Sequence, residues 1–82
     1  MYRILTESKN VDRVKTSLED LGLDYTLYSG DGSWRGQEEH SLIIELDNIP
    51  EDLAEKAAKM IKCINRQKKV LLQEIPVTSR LV

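Results

Sequence analysis

At 82 residues, with 40% hydrophobic side chains and no Phe, the chain holds one domain, whose core is small and built from Leu, Ile, Val and Ala. A net charge of −2 and a pI near 5.3 exclude a general nucleic-acid binder, which carries a basic surplus. No apolar run reaches the length of a membrane span, Glu7 arrives too early for a secretory signal, and the lone Cys63 forms no internal disulfide; a cytoplasmic, reducing location is expected.

In chain order, Tyr2 to Thr6 alternates as a short strand, with Tyr2, Ile4 and Thr6 on one face. Asn10 is placed to cap a helix through its side-chain oxygen. Val11, Val14, Leu18 and Leu21 then recur at helical spacing, so residues 11–21 read as an amphipathic helix closed by Gly22. Tyr25 to Tyr28 is β-prone. Ser41 to Leu46 carries large apolar groups on both faces, as a central strand does. Pro50 suits a first helical turn. Leu53, Ala57, Ile61 and Ile64 line one side of the helix that follows, and Asn65 to Lys69 end it with cations. Cys63 reads as a small buried residue rather than a nucleophile. Val70 to Ile75 is the last strand, and Pro76 ends it or marks an edge. Val77 to Val82 reads as a short added strand or a tail.

The order β-α-β-β-α-β, with right-handed crossovers, predicts an α+β fold over residues 1–82. Its expected form is ferredoxin-like: an antiparallel sheet with two helices on one face. Leu5, Leu27, Ile43 or Leu42, Ile44 and Leu71 or Leu72 cannot all face the helices. Apolar groups therefore remain on the open face, which predicts a homo-oligomer.

Between the second and third strands lies Ser29 to Ser41, with three of the four glycines, the only Trp and the only His. It reads as a connection far longer than a hairpin needs. A flexible tip explains turn glycines and solvated acids, but Trp34 is a costly residue to leave in water. Gly30, Gly32 and Gly36 do not form a dinucleotide fingerprint, because no helix opens after them. Arg35 offers a fork for phosphate or carboxylate, or a surface pairing with Glu38 or Glu39. An Arg, a Trp, backbone amides and a carboxylate together suit a small anionic, nucleotide-like molecule. The expected ligand-binding residues are Gly32, Trp34, Arg35, Gly36, Glu39 and Ser41. Trp34 would stack, Arg35 would pair with phosphate, Gly32 and Gly36 would present backbone, and Glu39 and Ser41 would orient base or sugar. His40 reads as a solvated histidine near a strand start. No catalytic constellation, cofactor or metal set is expected.

The run Gly30-x-Gly32-x-Trp34-x-Gly36-x-x-Glu39-x-Ser41-Leu42-x-Ile44-Glu45 resembles the signature of a family of small, largely uncharacterised proteins common in phages and mobile elements. Tyr2-x-Ile4-Leu5-Thr6-Glu7 and Asn65-x-Gln67-x-x-Val70-Leu71 look similar to it too, so the likeness covers most of the chain. The expected architecture is also similar to PII-type trimeric signalling proteins, which bind nucleotides between subunits beside the corresponding connection. This chain is shorter and lacks their loop sequence, so their ligand does not carry over. The phage resemblance implies an anti-defence role in a host cytoplasm. Its leading form is a non-enzymatic homo-oligomer that sequesters a nucleotide signal. The alternative is an inhibitor that binds a host defence protein through residues 29–41.

Overall fold

A computed structural model describes residues 1–78 and 80–82, with Trp34 described by its backbone alone. The order is β1 (Tyr2–Glu7), α1 (Val11–Asp20), β2 (Thr26–Trp34), β3 (Gln37–Leu46), α2 (Glu51–Ile64) and β4 (Leu71–Glu74). The fold is α+β, with one four-stranded antiparallel sheet in the order β2-β3-β1-β4. Beyond Glu74, the described residues join no helix or strand. Among the described residues no helix is long and apolar enough to cross a bilayer.

The ladder explains the core. Ile4 stands opposite Ile44 and Leu72, and Thr6 stands opposite Leu42. Leu27 stands opposite Ile44. Side chains alternate along each strand, so these residues share one face. The apolar ones among them pack with Val14 and Leu18 of α1 and Ala57, Ala58 and Ile61 of α2 in a single cluster. Both helices therefore cover the same sheet face. Alanines at 54, 57 and 58, all buried, let α2 sit close to the sheet. Burial of these side chains stabilises the domain at about 25 cal/mol per Å² of apolar surface.

Helix α1 ends in a Schellman closure, with Gly22 N–H donating to Glu19 O and Leu23 N–H to Leu18 O, at Gly22 φ +72. Its start differs from expectation. Asn10 has φ +53 and makes no side-chain cap. Its Nδ2 donates instead to Ile64 O at 3.2 Å and Asn65 Oδ1 at 3.1 Å, tying the start of α1 to the end of α2. Cys63 is also displaced from its expected place: it is exposed on α2.

The open sheet face carries a row of apolar groups across all four strands, namely Tyr28, Ile43, Leu5 and Leu71 in register. Beside it runs a polar row of Thr26, Glu45, Arg3 and Gln73. Arg3 Nε and Nη2 both donate to Glu45 Oε2, at 3.1 and 2.7 Å. The Arg3 hydrogen bond holds the Glu45 carboxyl below its usual value of 4.5, with a further lowering from a Tyr28 hydrogen bond. A depressed folded-state value stabilises the protein above the unfolded value, and that contribution fades as pH falls through the folded one. Glu45→Gln is therefore expected to lower the urea midpoint near neutral pH. The gap from the unmodified protein should close as pH drops from about 6 to about 3.

Candidate functional site

The segment expected to be a long connection is a regular β-ribbon. Strands β2 and β3 pair without interruption from Thr26↔Glu45 to Trp34↔Gln37, leaving only Arg35 and Gly36 as the turn. Both have positive φ, +51 and +80. That is the signature of a type I′ turn, whose twist matches the flanking strands. The pairing of Gly30 with Ser41 and Gly32 with Glu39 shows why a glycine-rich run can still be a strand: its partners supply the ladder. The expectation of a loop failed because glycines were counted as turn residues when only Gly36 serves the turn. Gly36→Ala is expected to destabilise the hairpin by about 1 kcal/mol, measured as a lower melting midpoint, because an L-residue is strained at that φ.

The ribbon outruns β1. Ser8 N–H donates to His40 O at 3.4 Å, and past that point β3 continues without β1 beside it. The turn from α2 into β4 comes in from the other side. Asn65 caps α2, and Arg66 follows at φ +51. Arg66 N–H donates to Cys63 O and Gln67 N–H to Lys62 O, again the Schellman pattern. This swings Gln67 onto the end of β1. The Gln67 Oε1 accepts from Thr6 Oγ1 and from Glu7 N–H. Asn65 Nδ2 donates to Thr6 Oγ1 at 2.9 Å and Glu7 O at 3.3 Å. Asn65 is completely buried and Thr6 nearly so. Buried amides and hydroxyls are costly unless bonded, and here every polar atom of the corner has a partner.

Between the fixed corner and the base of the ribbon lies an open cleft of about 500 Å³. Its polar lining is Thr6, Glu7, Glu39, His40, Ser41, Gln67 and Lys69. That volume is within the range of small-molecule sites. Those residues carry two carboxylates, two hydroxyls, an imidazole, an amide and an ammonium. Glu7 also pairs with Lys9 at 2.9 Å on the outside.

Of the six expected ligand residues, two, Glu39 and Ser41, line the cleft, and Gly32 pairs with Glu39. Arg35 and Gly36 form the turn at the tip, and Trp34 closes the ladder there opposite Gln37. About 13 Å of extended strand separates Gln37 from Ser41. Base and tip are thus two separate places in one chain. The side chain of Trp34, expected to stack, lies outside the described residues.

His40 is exposed, and its Nδ1 lies 2.7 Å from Asp31 Oδ1, its cross-strand partner. Ser41 follows His40 on the same strand. Neighbouring strand residues point to opposite faces, so the Asp31–His40 pair and the Ser41 hydroxyl diverge. Among the described residues no three His, Cys, Asp or Glu side chains gather as a metal site.

In comparisons with known proteins, no family model and no curated protein matches the chain. The site is read from its own residues.

Gln67 and Lys69 were missed as site residues because polar and cationic residues ending a helix are ordinary. The overlooked signal was polar residues closing apolar stripes. Asn65 extends Leu53, Ala57 and Ile61 by one more turn, and Thr6 extends Tyr2 and Ile4 by one more alternation. Both stripes end in polar groups that meet.

Proposed function

We propose that the protein is a non-enzymatic binding module for a small, anionic, nucleotide-like ligand, held in the cleft at the base of the ribbon. The observation that carries this reading is the cleft itself, an open space of about 500 Å³ lined by Lys69, Glu39 and Ser41 together. Lys69 pairs with a phosphate. Glu39 accepts from an exocyclic amine or a sugar hydroxyl, and Ser41 donates or accepts beside it. Gln67 of the corner donates through Nε2 to Lys69 O at 3.4 Å, which ties the Lys69 backbone to the corner and limits the ordering cost of binding.

The fold reading that fits is ferredoxin-like, supported by the β-α-β-β-α-β order and the strand sequence β4-β1-β3-β2 across the sheet. The apolar row on the open face supports self-association. The signature likeness supports a phage-encoded protein that sequesters a nucleotide signal in the host cytoplasm. Calorimetry against cyclic and linear nucleotides tests the binding. A micromolar ligand supports it, and no heat from any member of the panel overturns it.

A second reading has its own support in the tip. Arg35 and Gly36 are exposed on a stiff turn at the far end of the ribbon, as an arm that enters a partner protein would be. In this reading the protein inhibits a host defence protein, and Arg35→Ala and Trp34→Ala abolish the capture while Lys69→Ala leaves it intact.

A further inference from the structure

Among the described residues the outer edge of β2, nine residues long, is unpaired, because β2 is the terminal strand of the sheet. Natural edges are usually guarded by Lys, Pro, bulges or shortness. The other edge is guarded: β4 has four residues and Pro76 lies just beyond it. The β2 run Thr26 to Trp34 has no Lys, no Pro and one charge, Asp31.

The outward-facing amides can be assigned. His40 O is bonded on the β1 side, so the even-numbered residues of β3 face β1 and the odd-numbered ones face β2. Their β2 partners are Thr26, Tyr28, Gly30, Gly32 and Trp34. That leaves the N–H and C=O groups of Leu27, Ser29, Asp31 and Ser33 directed to the open edge. Ser29, Asp31 and Ser33 are all exposed.

We infer that β2 pairs antiparallel with β2 of a second copy about a two-fold axis at Gly30, joining two sheets into one. This deepens the self-association in the proposed function and uses none of the cleft residues. The register follows from charge and from bond count. Centred at Gly30, Ser29 faces the second copy's Asp31 and Leu27 faces its Ser33, giving about eight backbone hydrogen bonds. Tyr28 then stands opposite a glycine, a pairing in which an aromatic ring covers the bare backbone. Centred at Asp31, the two carboxylates would oppose each other, which is destabilising. Centred at Ser29, fewer bonds form. The pair is isologous and therefore closed, and the short β4 edge gives no route to a fibre.

The test is sedimentation of the full chain at neutral pH over a concentration series, with two exposed substitutions. The unmodified protein should sediment as a dimer. Ser29→Asp sets like charges opposite each other twice and should weaken the dimer at least tenfold. Ser29→Lys faces Asp31 of the second copy and should tighten it. Amide exchange at Leu27, Ser29, Asp31 and Ser33 should slow as the dimer forms. A monomer at millimolar concentration, a ring of three, or the same response to Asp and Lys overturns the pairing. A dimer that binds no nucleotide supports the pairing and overturns only the cleft reading; a monomer that binds one does the reverse.

Discussion

Asn65→Leu is expected to lower the unfolding free energy by about 3 kcal/mol, seen as a lower urea midpoint with an unchanged slope. The leucine fits the volume, so no large cavity forms. What is lost is bonding in a dry corner. Thr6 Oγ1 and Glu7 O each lose the donor Nδ2, and Asn10 Nδ2 loses its acceptor Oδ1. Removing one partner leaves a buried group with its full desolvation cost, about 1–3 kcal/mol each. Thr6→Val removes the hydroxyl shared by Asn65 and Gln67 and should cost less, about 1–2 kcal/mol. If Asn65→Leu leaves the midpoint unmoved, the corner does not hold the end of β1 to the end of α2.

The second large effect concerns the ligand. Lys69→Glu should weaken nucleotide binding at least a hundredfold, because an attracting charge becomes a repelling one within the same cleft. Glu39→Gln keeps the shape and removes the charged acceptor, and a loss of about tenfold is expected. Both residues are exposed, so the unfolding free energy should stay within about 0.5 kcal/mol of the unmodified protein. A parallel loss of stability and binding would instead mean that these side chains support the fold. Arg35→Ala should leave nucleotide affinity unchanged, since the tip lies about 13 Å of strand from Ser41.

Most of the scaffold was legible from periodicity. The stripe of Val14 and Leu18 on α1 and that of Ala57 and Ile61 on α2 match the buried sets, because a 3.6-residue repeat leaves little choice about which side is covered. Ser41 to Leu46 was legible as a central strand because large apolar groups occupy both of its faces. The ribbon was not legible. Residues 30–40 of β2 and β3 are stabilised by each other and not by a core, so no alternation of apolar and polar groups marks them as strands. Cross-strand pairing is a non-local property, and the glycines pointed the other way. The cleft was half legible. Glu39 and Ser41 stood out because they lie beside rare residues. Gln67 and Lys69 come to the cleft only through the positive φ of Arg66 and the buried amide of Asn65, which a one-dimensional reading cannot assemble. Cys63 was misplaced because it sits one residue off the covered side of α2, where periodicity sets an edge and not a boundary.

The cleft is tested most directly by a nuclear magnetic resonance titration of the labelled protein with a tight nucleotide from the panel, read residue by residue. Binding at the base of the ribbon predicts the largest shifts at the amides of Glu39, Ser41, Gln67 and Lys69, with the turn at Arg35 and Gly36 unmoved. Shifts confined to the turn, or centred on Arg3, Tyr28 and Gln73 of the open face, would contradict it.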